Sequence, residues 1–217
     1  MIHLAGESPQ EVLRRALNEI ALFEKNGVDA IIIEDYHGGK EDVINVLDAT
    51  NNSRYKIIRG VNLLSDPYAS FALARKYGAQ FVQLDSVQLN DLSIAKYNKI
   101  RDNKVVVLGG IRFKYTNPTE KSLEDDLDFG KRQCDAIVTT GNGTGKETPL
   151  QKLKGFRNVL RDYPLIVGAG VTAENVYEQL CVADGAIVGS YFKNGDTTQP
   201  VIRERVQSLM DIVNRMR

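Results

Sequence analysis

The feature that most constrains the fold is an alternation, repeated along all 217 residues, of short β-branched runs with longer amphipathic segments. Several of the runs are continuously apolar, which is typical of parallel strands covered by helices. The pattern predicts eight strands, at residues 2–4, 30–33, 57–59, 81–84, 105–108, 136–138, 165–167 and 186–188. It also predicts eight helices, at residues 9–25, 40–50, 67–77, 91–101, 122–133, 149–161, 174–180 and 202–216.

The first of these helices has the clearest start signal. Ser8 precedes Pro9, and Glu11 follows Ser8 by three residues. Serine is a good N-cap, proline suits the first helical position, and a glutamate at this spacing completes a capping box. We therefore expect this helix to begin at Pro9.

Eight strand–helix pairs predict an α/β protein with a parallel sheet, either an open doubly wound sheet or a closed (β/α)8 TIM barrel. Neither the first nor the last predicted strand has the character of a sheet edge, which favours the closed barrel. The chain shows no linker rich in Pro, Gly or Ser and no shift in composition. We therefore predict a single barrel domain over residues 1–217.

Composition excludes several classes of protein. The 28 basic and 28 acidic side chains cancel, so the chain lacks the basic charge of a general nucleic-acid binder. No apolar run approaches the roughly 18 residues of a membrane span, and no basic-then-apolar leader precedes the first helix. The two cysteines, Cys134 and Cys181, are expected to be buried and unpaired. We expect a cytoplasmic protein without nucleic-acid or integral membrane contacts.

The active site of a (β/α)8 barrel lies at the carboxyl ends of its strands, and the last two loops commonly bind phosphate. Gly168 and Gly170 follow the seventh predicted strand, and Gly189 and Ser190 follow the eighth. Glycines let the backbone approach an anion, and a helix beginning near residues 172–173 would present free N–H groups to it. We predict a phosphate site here, in which replacing Gly170 by leucine abolishes binding without disturbing the fold. The alternative is that these glycines only form tight turns.

The loop after the sixth predicted strand is rich in glycine and hydroxyl groups, and it supplies Thr140, Asn142 and Thr144 as ligand-binding candidates. It resembles a phosphate-binding loop of the Walker type but fails that pattern, because Glu147 stands where a serine or threonine should reach magnesium. We predict a mobile loop that becomes ordered over a ligand.

Three charged side chains near strand ends are the candidate catalytic residues: Glu34, Asp85 and Lys114. Either carboxylate can act as a general base or hold a metal, and the alternative for Glu34 is a structural ion pair with Arg59 or Lys114. Lys114 can form a Schiff base if it is buried, or simply bind an anion. Further candidates for substrate binding at strand ends are His3, Arg59, Asn62 and Arg112. Two scattered histidines predict no zinc site, and the sequence indicates no cofactor.

A set of segments, taken together and in order, resembles the BtpA family. The segments are residues 2–4, 27–34, 60–64, 78–82, 134–141, 144–145, 168–171 and 183–193, with the region of Lys114 and Asn175. The resemblance implies a TIM barrel similar to the ribulose-phosphate-binding barrels. Members of the family include proteins named for photosystem I biogenesis and proteins similar to SgcQ, and no settled mechanism comes with the family.

Two functions therefore stay open. One is an enzyme that binds a phosphorylated metabolite, either a sugar phosphate or a nucleotide, and catalyses an isomerase, lyase or transferase reaction on it. The other is a non-catalytic factor that assembles or stabilises a partner complex, as the photosystem naming suggests. A homo-oligomer is compatible with either, and the sequence does not specify one.

Overall fold

The computed structural model describes residues 1–51, 55–88, 94–101, 104–117 and 119–217. Its strands are β1 (Ala30–Glu34), β2 (Ile58–Asn62), β3 (Phe81–Leu84), β4 (Val106–Gly110), β5 (Ala136–Thr139), β6 (Leu165–Val167) and β7 (Gly185–Ala186). Its helices are α1 (Pro9–Lys25), α2 (Lys40–Thr50), α3 (Pro67–Tyr77), α4 (Ile94–Ile100), α5 (Leu123–Gln133), α6 (Leu150–Leu160), α7 (Val176–Leu180) and α8 (Arg203–Met216), and a 3₁₀ turn spans Ser190–Lys193.

Local sequence signals place the ends of several helices. The Ser8 hydroxyl accepts a hydrogen bond from the backbone N–H of Glu11, which confirms the predicted start of α1. Asp66 caps α3 in the same way, and α3 ends at Gly78, whose φ of +63° suits glycine. The predicted residues 91–93 of the fourth helix lie outside the described residues. None of the helices in the described ranges is both long and apolar enough to cross a bilayer.

The described residues form one curled sheet of seven parallel strands in the order β1-β2-β3-β4-β5-β6-β7, with helices between successive strands. Parallel pairing brings the carboxyl ends of all the strands to one rim, which we call the mouth. In the register of β1 and β2, Glu34 is the partner of Asn62. The parallel α/β architecture predicted from the sequence is thus confirmed.

The closed barrel of eight strands is not what the described residues show. The first predicted strand, residues 2–4, is reduced to one parallel bridge between Ile2 and Ile33. Ile2 donates to the carbonyl of Ile32 at 2.8 Å and accepts from the N–H of Glu34 at 3.1 Å. Leu4 then adopts a φ of +54°, which turns the chain out of the sheet. The predicted last strand is also shorter, because only Gly185–Ala186 pairs as a strand.

The core lies on both sides of the sheet, inside its curl and beneath the helices. Cys134 is buried, and burial raises the pKa of its thiol to about 12. Cys181, which directly follows α7, is exposed, so the prediction that both cysteines are buried was wrong for this one.

Candidate functional site

Two carboxylates at the mouth are joined through one amide. Asn62 Nδ2 lies 2.9 Å from Glu34 Oε1 and 3.0 Å from Asp85 Oδ1. Gln83 completes the group, since its Oε1 accepts from Asn62 Nδ2 at 2.7 Å and its Nε2 donates to Asp85 Oδ1 at 2.8 Å. The ends of β1, β2 and β3 therefore build one carboxylate–amide cluster from Glu34, Asn62, Gln83 and Asp85.

Burial shifts the pKa of Glu34, a member of this cluster, and the pKa of His3. Glu34 is 5% exposed, and burial, reinforced by the charge of Asp85, raises its pKa to about 8, although Lys114 opposes the shift. Burial also lowers the pKa of His3 to about 2. At neutral pH both side chains are uncharged, and Glu34 carries a proton that it can give to a ligand.

Lys114 reaches the mouth from the loop after β4. Its backbone N–H donates to Thr140 Oγ1 at 2.6 Å. Beneath it, Lys152 Nζ donates to the carbonyls of Arg112 at 2.8 Å and Thr140 at 2.6 Å, and burial lowers the pKa of Lys152 to about 8. Within the described ranges no ion pair joins Glu34 to Lys114 or to Arg59, so the alternative of a structural ion pair for Glu34 is not observed. Lys114 lines the mouth, with its Nζ 5.4 Å from the centre of the Phe113 ring.

Residues 141–148, which we call the lid loop, cover the mouth. Gly170 packs so closely against this loop that a Cβ atom at that position would lie 2.3 Å from the backbone of Lys146 and Glu147. The N–H of Thr144 donates to the Tyr115 hydroxyl at 3.0 Å, and Thr144 Oγ1 lies 3.4 Å from the Tyr36 hydroxyl. At the other end of the loop, Thr148 Oγ1 donates to the carbonyl of Ala169 at 3.2 Å.

Thr144 and Gly145 of the lid loop border a small, partly open space of about 40 Å³, which we call the mouth cavity. Its lining includes His3, Glu34, Tyr36, Lys114, Thr144, Gly168, Gly170, Gly189 and Ser190. That volume suits about one water molecule. A sugar phosphate is larger than this space, so its binding requires a lining segment such as the lid loop to move, and the mobility of the lid loop stays a prediction.

One wall of the mouth cavity carries backbone donors. The N–H groups of Val171, Gly189 and Ser190 have no acceptor within the part of the chain that the structure describes. The helix expected to begin near residues 172–173 starts instead at Val176, after a turn in which Asn175 Oδ1 accepts from the N–H of Thr172. The donors of Val171 and Gly189 thus come from loops, and that of Ser190 opens the 3₁₀ turn, so none of them belongs to α7.

Six predicted site residues do not line the mouth cavity: Arg59, Asn62, Asp85, Arg112, Thr140 and Asn142. Asn62 and Asp85 belong to the carboxylate–amide cluster, and Thr140 bonds to the backbone of Lys114. The Arg59 guanidinium points toward the helices and donates to Thr50 Oγ1 and to the carbonyls of Tyr77 and Gly78. Arg112 pairs with the buried Asp126 at 2.7 Å, and Asn142 is exposed on the lid loop outside the cavity lining. The alternation of side chains along a strand explains the orientation of Arg59. It stands three residues before Asn62 in β2 and therefore faces the opposite side of the sheet. We leave Arg59, Arg112 and Asn142 out of the proposed site.

Sequence reasoning missed several residues that shape the site. Tyr36 contacts the lid loop, Lys152 supports the loops after β4 and β5, and Gln179 Nε2 donates to Glu147 Oε1 at 3.1 Å. Tyr36 lies only two residues beyond Glu34, and that proximity was a usable signal. No local pattern marks Lys152 or Gln179. No group of three or more His, Cys, Asp or Glu side chains suited to a metal is found among the described residues.

The lid loop provides a first test. We expect Tyr115→Phe to raise amide exchange at Thr144 about tenfold, because the variant removes the acceptor of that N–H. Hydrogen exchange followed by mass spectrometry or NMR measures the effect, and Tyr177→Phe on the exposed face of α7 is the matched control. Unchanged exchange at Thr144 would show that this hydrogen bond does not hold the lid.

Comparison with known proteins identifies the family of this chain. The family model described as "BtpA family" matches residues 5–215. The chain belongs to the BtpA family. The resemblance predicted from the sequence is thereby confirmed over nearly the whole chain.

Two relatives and one solved structure show how this BtpA-family chain compares with known proteins. An uncharacterized protein of Archaeoglobus fulgidus is 30% identical, and the match covers 92% of this chain and 88% of that protein. The photosystem I biogenesis protein BtpA of Synechocystis is 22% identical, over 95% of this chain and 81% of its own length. Among solved structures, phosphoribosyl anthranilate isomerase from Thermus thermophilus superposes with a TM-score of 0.67 at 16% identity, covering 94% of this chain and 95% of that one. This likeness shows a TIM-barrel-like fold.

Proposed function

We propose that this BtpA-family protein is an enzyme that binds a phosphorylated small metabolite, a sugar phosphate or a nucleotide, at the mouth and transfers protons on it. The carboxylate–amide cluster is the observation that carries this proposal. A glutamate whose pKa is raised to about 8 retains a proton at neutral pH, directly beside a second carboxylate. Paired carboxyl groups with different environments are what acid–base catalysis requires.

In the proposed mechanism Glu34, Asp85 and Lys114 have separate tasks. Protonated Glu34, which lines the mouth cavity, donates its proton to a carbonyl or leaving-group oxygen of the ligand. Asp85 lies outside that lining, behind Asn62, and accepts a proton from the reacting carbon or hydroxyl once the lid loop has moved and the ligand has entered. Asn62, held between them, keeps the two carboxyl groups apart in a fixed geometry. The Lys114 ammonium offsets negative charge that develops on the ligand. Isomerase, lyase and transferase reactions all use such proton transfers.

The opposite wall supports binding of the phosphate group. Gly168, Gly170, Gly189 and Ser190 bring backbone close to the cavity, and the N–H groups of Gly189 and Ser190 are unpaired in the described structure. Unpaired N–H groups on glycine-rich loops bind phosphate oxygens well. The distant structural relative named phosphoribosyl anthranilate isomerase is consistent with a phosphorylated ligand on this fold.

We also propose that residues 1–3 complete a closed barrel. The segment stands between β7 and β1, since Ile2 bridges to Ile33 and the Met1 nitrogen donates to the carbonyl of Val188 at 3.0 Å. Closure holds His3 in the lining of the mouth cavity. NOE contacts between Met1 and Val188 in NMR spectra are the expected result, and their absence would argue for an open edge between this segment and β7.

A thermal-shift screen tests the proposed function. Ligands that bind only the native state raise its melting temperature, so a matching sugar phosphate or nucleotide should stabilise the protein while its dephosphorylated form should not. A hit is then assayed for turnover with wild type and with Glu34→Gln. Absence of stabilisation by any phosphorylated compound would favour the alternative, a non-catalytic assembly role.

Ser190 allows a matched test of the phosphate wall. The Gly170→Leu variant expected from the sequence to leave the fold intact is unsuitable, because any side chain there strikes the lid loop. Ser190→Asp places a carboxylate on the wall and should weaken binding of the phosphorylated hit, or of inorganic phosphate, about a hundredfold by charge repulsion. Ser190→Asn has nearly the same shape without the charge and should bind within a few-fold of wild type. If the two variants bind the phosphorylated compound equally well, the phosphate group does not bind at this wall.

A further inference from the structure

The sequence contains three asparagines that are each followed directly by glycine, in the pairs Asn26-Gly27, Asn142-Gly143 and Asn194-Gly195. Asparagine is a thermolabile residue, and it is most reactive before glycine, because glycine has no side chain to hinder attack by its backbone nitrogen. One pair follows α1, one follows the 3₁₀ turn, and one lies in the lid loop. The folded structure restrains these three pairs differently.

The reaction at such a pair is intramolecular. The backbone nitrogen of the glycine attacks Cγ of the asparagine, and the new N–Cγ bond closes a five-membered succinimide ring. The Cγ–Nδ2 bond breaks, and Nδ2 leaves as ammonia with the proton that the attacking nitrogen gives up. A water molecule then opens the ring at either carbonyl, which leaves aspartate or isoaspartate. A glycine N–H that is held in a hydrogen bond reacts more slowly, since it must first lose its acceptor.

The pair at the end of α1 is held on both sides. Asn26 Nδ2 donates to the carbonyl of Leu22 at 2.7 Å. The Gly27 N–H donates to the carbonyl of Glu24 at 3.2 Å. Neither the side-chain amide nor the attacking nitrogen is therefore free to react.

The pair after the 3₁₀ turn is held in the same way. Asn194 Oδ1 accepts from Arg205 Nη2 at 2.5 Å, and the Gly195 N–H donates to the carbonyl of Ser190 at 2.8 Å. Asn194 is exposed, as Asn142 is, so exposure alone does not distinguish the two asparagines. The hydrogen bond of the glycine N–H distinguishes them.

The pair in the lid loop lacks both restraints. The Asn142 side chain is exposed, and it forms no hydrogen bond within the described ranges. The Gly143 N–H likewise has no acceptor in the part of the chain that the structure describes. Both reacting groups are thus free at this pair.

We propose that Asn142 is a site of spontaneous deamidation in the folded protein and that the product alters the lid loop. Isoaspartate adds one carbon atom to the main chain directly before Gly143. The next residue, Thr144, borders the mouth cavity and donates its N–H to the Tyr115 hydroxyl at 3.0 Å. The longer main chain displaces this N–H and weakens its hydrogen bond. The inference does not depend on the function proposed for the mouth, since the reaction needs no ligand.

Peptide mapping by mass spectrometry, after incubation of the full-length protein at mildly alkaline pH, tests the proposal. Asn142 should deamidate about tenfold or more faster than Asn26 and Asn194, because breaking one hydrogen bond slows the attack by about that factor. In urea-unfolded protein the three rates should become similar, since glycine follows each asparagine. Deamidation of Asn142 at the same rate as the other two in the folded protein, or more slowly, would overturn the proposal.

Two variants connect the reaction to the lid loop. Gly143→Ala should slow deamidation about tenfold or more, because its Cβ hinders the attack; that Cβ would lie 3.3 Å from the hydroxyl of the exposed Tyr115 side chain, which can move aside. Asn142→Gln is the matched control, since its longer side chain cannot close a five-membered ring. Amide exchange at Thr144 should rise during incubation of wild type and stay constant in Asn142→Gln. Constant exchange in deamidated wild type would overturn the effect on the lid loop.

Discussion

Glu34→Gln should stabilise the protein by about 3 kcal/mol at pH 7, because wild type must keep a proton on a buried carboxyl group that the unfolded chain releases. Glutamine keeps the size of the side chain and an oxygen that accepts from Asn62 Nδ2. The variant is also expected to lose turnover of any substrate that the thermal-shift screen identifies. Stability and activity would then change in opposite directions, as is common for residues of an active site.

The pH dependence makes this prediction specific. The pKa of Glu34 is raised from 4.5 to about 8, so the folded state binds more protons than the unfolded state between these values. Wild type therefore loses stability as the pH rises from about 4.5 to about 8, and Glu34→Gln lacks this loss. The difference between the two proteins should be near zero below pH 4.5 and reach about 5 kcal/mol above pH 8.

Urea unfolding at a series of pH values measures both curves, and Glu120→Gln at an exposed position is the matched control. The control should follow the wild-type curve throughout. If the unfolding free energies of wild type and Glu34→Gln change in parallel with pH, the pKa of Glu34 is ordinary. Glu34 would then not hold the proton that the proposed mechanism requires at neutral pH.

Lys193→Met should destabilise the protein by about 3–5 kcal/mol. Lys193 Nζ lies 2.7 Å from Glu19 Oε1, and the two side chains are only 1% and 6% exposed. Removing the ammonium leaves the buried Glu19 carboxylate with Arg15 as its remaining ionic partner, at 3.2 Å. The pair also joins the 3₁₀ turn that begins at Ser190 to α1, so the phosphate wall should loosen together with the loss of stability.

Two variants separate this effect from a general loss of charge. Lys131→Met removes one partner of an exposed pair with Asp128, whose side chains are 30% and 61% exposed, and should cost less than about 1 kcal/mol. Adding Glu19→Gln to Lys193→Met should recover part of the lost stability, because no unpaired carboxylate is then buried. Equal losses from Lys193→Met and Lys131→Met in urea unfolding would show that burial does not strengthen the Lys193 pair.

The positions of most elements could be predicted from local sequence because local contacts determine them. Ser8 caps α1 through an atom only three residues away, and the apolar runs at residues 30–33 and 81–84 have the length and the residue types of buried strands. The single bridge at Ile2 could not be predicted in this way. It depends on the turn at Leu4, whose positive φ no sequence pattern announces.

The same distinction between local and tertiary determinants holds for the candidate site. The sequence alone determined that acidic and amide side chains follow β1, β2 and β3, since strand periodicity and parallel order are local properties. Only the tertiary structure decided that Asn62 joins Glu34 to Asp85, that Arg59 turns to the helices, and that Glu34 keeps its proton. The reason is physical: contacts between residues more than twenty positions apart depend on strand register, and a pKa depends on how much water the folded protein excludes.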